Sequence, residues 1–204
     1  MTCDPNHSPA LAAATVLERR RLHDGWNRLD LVTLEMPVHG RLARFTREVV
    51  DHGHGAAVLA YHARSRTAVL VRQLRAGKLV AEGDGGLLEV PAGLVDGTED
   101  PAATARREVS EEIGAALLGL DFVAAAYASG SSLSEKLWLY LGEIDPALPR
   151  GTGGGVADEH EEIEIVEMPL ADLAAHVDAG RIADMKTVLL VYALRHRRPD
   201  LFEG

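Results

Sequence analysis

Apolar and polar residues alternate in short runs through the first quarter of the chain. Trp26-Asn27-Arg28-Leu29-Asp30-Leu31-Val32-Thr33-Leu34 has roughly the two-residue period of a strand with one buried face. The span 15–50 reads as strand-forming throughout, with a hairpin-type turn at His39-Gly40. Asp51-His52-Gly53-His54-Gly55 breaks the pattern. Residues 56–61 and 68–74 are apolar runs that predict buried strands around a turn at Arg64-Ser65-Arg66. Gly83-Asp84-Gly85-Gly86 predicts a flexible loop, and residues 87–91 a short strand. The period then changes. Ala105, Val109 and Ile113 recur every fourth residue, which makes an apolar stripe on a helix. Asp100 suits its N-cap, Pro101 its first position and Gly114 its end. Further strands are predicted at 122–128, 136–144 and 162–168, a glycine-rich loop at 151–155, and helices at 170–179 and 186–196 parted by Gly180. Strands mixed with flanking helices predict an α/β fold, an α/β/α sandwich around a central mixed sheet with an N-terminal β extension. The expected division is a disordered N-terminus at 1–14, N-terminal strands at 15–52 and the main domain at 53–204.

The face of the central helix beside the apolar stripe carries Glu108, Glu111 and Glu112. Positions i, i+3 and i+4 stand within one turn, so three like charges repel and cost the helix a few tenths of a kcal/mol per pair. A divalent cation turns that cost into a binding site. Carboxylate oxygens, with no cysteine or histidine pair beside them, suit a hard ion such as Mg²⁺, with Mn²⁺ as the alternative. Magnesium sites of this kind usually combine a few carboxylates with water and substrate phosphates, so the cluster points to phosphate chemistry.

Composition narrows the partners. The chain has 204 residues, a formal net charge of −10 and 47% apolar residues, but only 4% aromatic ones. The core must therefore be built from Ala, Val, Leu and Ile. An acidic surface disfavours long nucleic acid, which needs a basic face. A small anionic substrate remains compatible, because a bound metal reverses the local field. Cys3 is the single cysteine, which excludes an intrachain disulfide and fits a cytoplasmic protein. No run approaches the roughly 18 apolar residues of a membrane span, and no basic segment opens a targeting peptide.

The stretch from Gly93 to Ala115, GLVDGTEDPAATARREVSEEIGA, resembles the Nudix box G-x5-E-x7-R-E-U-x-E-E-x-G-U, where U is a bulky aliphatic residue. Gly93, Glu99, Arg107, Glu108, Val109, Glu111, Glu112 and Gly114 fall in place. Ala115 departs from the pattern, since a larger aliphatic residue is usual there. The similarity extends over about residues 20–198. It includes Trp26, Arg47-Glu48-Val49, Gln73-Leu74-Arg75, Leu88-Glu89-Val90-Pro91-Ala92-Gly93, Gly153-Gly154-Gly155-Val156, Ile163-Glu164-Ile165, the run Gly180 to Asp184, and Lys186-Thr187. This pattern is most similar to the branch of the family that acts on GDP-mannose, with the branch that acts on ADP-ribose close behind. The resemblance implies a Mg²⁺-dependent enzyme that splits a nucleoside-diphosphate sugar into a nucleoside monophosphate and a sugar phosphate. Glu108, Glu111 and Glu112 are then the metal ligands, supplemented by the Ala92 carbonyl. Arg75 is a candidate phosphate clamp, unless it is simply an exposed strand-end arginine. Arg47 is a further substrate-binding candidate. A homodimer paired through the N-terminal strands is implied as well.

A general base must reach the attacking water. Glu161 is the first candidate and Glu159 the second, both in the loop after the glycines, which is longer than the family pattern leads one to expect. Arg107 is expected to orient carboxylates and Glu99 to support them. Glu89 either pairs with Arg107 or assists a metal. Tyr127-Ala128-Ser129-Gly130-Ser131 lacks the proline usual in a Tyr-x-Ser-Pro-Gly segment, which predicts a more flexible loop at the sugar end. His52, His54 and His160 lack metal-ligand spacing. Arg19-Arg20-Arg21 reads as a basic anchor or, more in keeping with such runs, a solvated strand edge, and the basic residues at 195–198 as charges that offset a helix dipole. The competing reading is a non-catalytic sensor that binds ADP-ribose or a similar nucleotide. The intact carboxylate triad favours the enzyme, because a pure binder does not need it.

Overall fold

The hairpin-type turn at His39-Gly40 joins two long antiparallel strands, and both residues have positive φ, 50° and 76°. That pair of angles is what a two-residue turn matched to the strand twist requires. The computed structural model describes residues 9–145, 147–148, 150–155 and 162–203. The chain divides into two compact units, Met1–His54 with Tyr127–Lys136, and Gly55–Ala126 with Leu137–Gly204.

The first unit holds a short helix, α1 (Pro9–Ala12), and a meander of β1 (Thr15–Asp24), β2 (Arg28–Val38) and β3 (Arg41–Asp51). The strand pairs are antiparallel, and Val38 faces Arg41 across the turn. β1 is exposed along its whole length, yet its arginines are not merely solvated. Arg19 and Arg21 stand on one face, as the strand period dictates. Both grip Asp30, which is only 1% exposed: Arg21 Nε donates to it at 2.5 Å and Arg19 Nε takes its other oxygen. The segment after Tyr127 extends this unit. Val50 N–H donates to Ser132 O at 2.8 Å, and Ser134 N–H donates to Val50 O at 3.0 Å. His52 lies 3.3 Å from Glu135, and His54 Nδ1 accepts from Lys136 N–H at 3.2 Å, so both histidines serve as hydrogen-bond partners here.

The second unit is built on one mixed sheet. Its strands are β4 (Gly55–His62), β5 (Thr67–Leu74), β6 (Gly86–Glu89), β7 (Ala92–Leu94), β8 (Asp121–Tyr127), β9 (Lys136–Glu143) and β10 (Glu164–Pro169). The order is β10-β5-β4-β9-β8, with β6 paired to β5 and β7 to β4. β4 runs parallel to β9 and antiparallel to β5 and β7. The helices are α2 (Ala76–Glu82), α3 (Pro101–Ile113), α4 (Leu170–Asp178) and α5 (Met185–Arg197), followed by a 3-10 turn, Pro199–Leu201.

β4 lies at the centre and is apolar on both faces, as a strand covered on two sides must be. Ala56, Val58 and Ala60 pack with Ala105, Val109 and Ile113, the predicted stripe of α3. The alternate residues Ala57 and Leu59 are equally buried and turn to the opposite face. There α5 packs on β4 and α4 on β5 and β10, with Leu170, Leu173, Leu190 and Leu194 fully buried. This is the predicted α/β/α arrangement. Small residues at 56, 60 and 105 let helix and sheet approach closely, which suits a chain poor in aromatic residues.

Helix α2 is not among the elements the sequence pattern predicts. Its start has no side-chain cap, Gly77 interrupts it and none of its residues is buried, so neither capping nor periodicity announces it. Gly83 ends it in the left-handed conformation, φ 77°. Gly130 has ordinary φ, and a Cβ there would meet only Tyr127 Cβ, at 3.8 Å. Nothing at that position demands glycine. No helix among the described residues is long and apolar enough to cross a membrane.

Asp30 yields a pH dependence. The hydrogen bond from Arg21 holds its carboxyl below the ordinary carboxylate range, against the pull of burial and with help from Arg19. A depressed folded-state pKa contributes stability above the unfolded value, about 3.9, and loses it as pH falls through the folded one. Thermal melts from pH 7 to pH 3 should show a steep loss below about pH 4. Asp30→Asn should melt lower at pH 7 and show a flatter acid limb. An unchanged acid limb would remove Asp30 as its source.

Candidate active site

Helix α3 begins and ends as its sequence dictates. The Asp100 side chain accepts from Ala102 N–H at 3.1 Å, Pro101 occupies the first turn, and Gly114 takes the left-handed conformation at φ 64°. Gly114 N–H donates back to Ser110 O at 3.1 Å and Ala115 N–H to Val109 O at 3.3 Å. With Ala105, Val109 and Ile113 locked into the core, Glu108, Glu111 and Glu112 are fixed on the adjacent face. Glu108 and Glu112 are buried and Glu111 half-buried.

Arg107 makes this crowding tolerable. Its Nη1 lies 2.8 Å from Glu108 Oε1 and 2.9 Å from Glu111 Oε2, so one cationic nitrogen serves two carboxylates. Its Nη2 donates to Leu94 O at 3.3 Å and lies 3.7 Å from Glu99 Oε2. Glu99 in turn accepts from Thr104 Oγ1 at 2.7 Å. Burial disfavours the Arg107 charge, but Glu108, Glu111 and Glu99 outweigh it and hold the guanidinium's pKa above its ordinary value. Glu112 turns the other way, and its Oε2 accepts from Ala92 N–H at 3.2 Å. The peptide at Ala92 therefore stands against the carboxylate cluster. Gly93 closes the arrangement, because a Cβ there would overlap the Glu108 carboxylate.

These donors fit a hard dication. All are oxygens, and Arg107 Nη1 marks a point where positive charge is drawn by Glu108 and Glu111 together. Among the described residues, no three His, Cys, Asp or Glu side chains are gathered into a closed cage. The carboxylates are each turned toward a protein partner instead. An ion that takes Glu108 and Glu111 must share them with Arg107.

Beside the cluster lies a second network. Glu89 on β6 is fully buried and is held by Arg75 Nε at 2.6 Å and Lys186 Nζ at 3.0 Å. The expected pairing of Glu89 with Arg107 is corrected here: its partners are Arg75 and Lys186, while Arg107 is committed elsewhere. Arg75 is not a free strand-end arginine. Its Nη1 and Nη2 make no hydrogen bond among the described residues. Burial works against its charge, but Glu89, Glu112 and Asp184 hold its pKa up. That influence of Glu112 brings Arg75 into the field of the carboxylate cluster. Arg47 belongs to the first unit, where its guanidinium lies over the Phe45 ring at 4.7 Å and donates to Thr46 O at 2.8 Å.

The glycine-rich loop is the part that sequence reasoning left without a role. Gly154 N–H donates to Glu112 O at 2.8 Å, Gly155 N–H to Glu111 O at 3.3 Å, and Gly151 N–H to Gly114 O at 2.7 Å. Arg150 Nη2 reaches Ile113 O at 3.3 Å. The loop thus caps carbonyls that the end of α3 leaves unpaired. Gly153 has φ 58°, and a Cβ on it would strike Glu112 O at 2.7 Å and Ile113 C at 2.8 Å. The signal was present as glycines at 151 and 153–155, but its meaning required knowing what the loop touches. An open depression of about 490 Å³ lies between loop and helix, lined in part by Glu111, Ala115 and Leu148. Glu159 and Glu161 lie outside the described residues.

The NUDIX domain family model matches residues 52–188. The chain is 41% identical over 159 residues to a GDP-mannose pyrophosphatase of Cronobacter sakazakii, covering 78% of this chain and 82% of that protein. It is 35% identical over 178 residues to a GDP-mannose pyrophosphatase of Pectobacterium atrosepticum, covering 86% and 91%. In fold it is similar to the crystal structure of an ADP compounds hydrolase, with a TM-score of 0.73, 20% identity, and coverage of 92% of this chain and 95% of the other.

Gly93→Ala tests the close approach at the cluster. The new methyl must displace the end of a flexible carboxylate rather than backbone. Metal affinity should therefore fall while the melting temperature changes by only a few degrees, as read by metal titration and thermal melts. Unchanged affinity would mean that Glu108 does not need its present position.

Proposed function

The chain belongs to the Nudix family, and we propose that it is a divalent-metal-dependent hydrolase of nucleoside-diphosphate sugars. It would cut the diphosphate into a nucleoside monophosphate and a sugar phosphate. The observation that carries this reading is the trio Glu108, Glu111 and Glu112, with Arg107 between the first two and the Ala92 amide on the third. GDP-mannose is the first substrate to try, on the names of the relatives, and ADP-ribose the second.

The chemistry balances simply. Water adds to one phosphorus, the bridging P–O bond breaks, its oxygen leaves on the other phosphate, and the water's extra proton passes to a base. Glu108, Glu111, Glu112 and the Ala92 carbonyl would hold Mg²⁺, or Mn²⁺ in its place. Bound there, the ion would offset the charge of the diphosphate and make its water more acidic. Arg107 bridges Glu108 and Glu111 through one nitrogen, offsets their repulsion and orients them. Arg75, with Nε fixed by Glu89, presents its remaining nitrogens as a fork for a phosphate. Arg47 is retained as a substrate-binding candidate. Glu161, then Glu159, is the proposed base. Support for both comes from Gly154 and Gly155, which tie the start of their segment to the carbonyls of Glu112 and Glu111. A homodimer through the N-terminal strands and a cytoplasmic setting belong to the same proposal.

Hydrolysis of GDP-mannose and ADP-ribose, with Mg²⁺ and with chelator, tests it directly. Release of GMP or AMP should require metal. Glu112→Gln should lower the rate by about 10² or more, the scale of losing one well-placed electrostatic contact. Nucleotide binding without turnover would sink the enzyme reading and favour a sensor. Sedimentation should show a dimer, and a monomer at working concentration would exclude a site that needs two subunits.

A further inference from the structure

The first turn of α5 makes an unusually complete set of bonds to the strand that enters the box. Asp184 is buried, and its Oδ2 accepts from Thr187 N–H at 2.9 Å and from Thr187 Oγ1 at 2.6 Å. The Thr187 hydroxyl proton is thereby committed to Asp184, so its oxygen is free to accept. The donor it accepts from is Val90 N–H, at 2.9 Å and 97 residues away in sequence. The other oxygen of Asp184 accepts from Lys186 Nζ at 2.7 Å. Lys186 then donates to Glu89 Oε2 at 3.0 Å. Consecutive residues 89 and 90 are therefore held by one helical turn, the first through its side chain and the second through its amide.

The two residues after Val90 give this grip its meaning. Pro91 has no N–H, so between Glu89 and Ala92 the Val90 amide is the only main-chain donor that can orient the segment. Val58 N–H donates to Pro91 O at 3.0 Å and fixes the other edge. The next amide is that of Ala92, which meets Glu112 Oε2. The Ala92 carbonyl lies on the following peptide, and its direction follows from how residue 92 is held: by the bonds from Val90 to Thr187 and from Val58 to Pro91 before it, by its own amide on Glu112, and by the pairing of Ala92 and Gly93 with Ala57 and Ala56 of β4.

We propose that Thr187, supported by Asp184 and Lys186, is a positioning residue for the metal site: it sets the Val90–Ala92 backbone so that the Ala92 carbonyl and Glu112 face one ion. This rests on the metal-site reading given above. Partners that orient metal ligands in this indirect way are worth about 10–100-fold in affinity.

The probe is Mn²⁺ alone, with free ion read by electron paramagnetic resonance in the absence of nucleotide. Wild type should bind Mn²⁺ and Glu112→Gln should lose it. Absence of that difference would overturn the metal site itself, and the positioning role with it. Given that difference, Thr187→Val should weaken Mn²⁺ binding about tenfold or more, and Thr187→Ser should restore it to within about twofold. A folded Thr187→Val that binds Mn²⁺ as wild type does would overturn the positioning role while leaving the metal site intact. A lowered melting temperature with unchanged Mn²⁺ affinity would count the same way, since it marks a purely structural contact. Hydrogen exchange in the wild-type protein needs no variant. The Val90 amide should be protected to the level of the sheet core, and exchange at the rate of an open loop would overturn the bond on which the inference depends.

Discussion

Three carboxylates on one helical turn demand positive charge among them, and the second unit is arranged around that demand. Arg107 Nη1 answers part of it by standing between Glu108 and Glu111. The Ala92 amide answers another part at Glu112. Neither would work on a helix free to rotate. The stripe of Ala105, Val109 and Ile113 against Ala56, Val58 and Ala60 removes that freedom, because turning the acidic face away would expose the core stripe. Hydrophobic packing thus holds an arrangement that electrostatics alone would disperse.

The local features of this arrangement were legible in the sequence. Asp100, Pro101 and Gly114 mark the ends of α3, and the four-residue period marks its buried side. The period-two and fully apolar runs give most strands within a residue or two, though not the break between β1 and β2 at 25–27 or the short β7, and strands with flanking helices give the sandwich. What escaped depends on which distant segments meet. Glu89 could not be assigned because its partners, Arg75 and Lys186, are brought to it by the folding of β5 and α5 around β6. Arg19 and Arg21 read as a solvated edge because the acid between them sits on the next strand. Helix α2 escaped for the opposite reason, having no cap, no buried face and a glycine inside. Arg47 is described within the first unit alone, and Glu159 and Glu161 fall outside the described residues, so their expected roles rest on the resemblance and the sequence.

Two buried acids illustrate how neighbours decide the state of a carboxyl. Asp30 gains two guanidinium partners across a strand pair. Glu89 gains one guanidinium and one ammonium from segments far apart in the chain. In both cases a lone buried charge would be costly, and the pairing with several donors offsets that cost. In the second case one of the cations gathered to satisfy the acid, Arg75, is also the group proposed above to take a phosphate, since only its Nε is spent on Glu89.

The bonds from Gly151, Gly154 and Gly155 to the end of α3 carry a consequence for how such a chain can diversify. Residues 92–94 meet the thirteen-residue helix through the side chains of Glu112 and Arg107, and residues 151–155 meet it through the carbonyls at its end. Of the intervening connections, the exposed turn at Leu118-Gly119 is tied to the sheet, through Leu118 N–H and Glu143 O, rather than to that end of the helix. Insertions and deletions there can reshape the rim of the molecule while the spacing of the hydrolytic groups stays constant. The helix acts as a common datum, and the loops between its two attachments are free to explore new substrates.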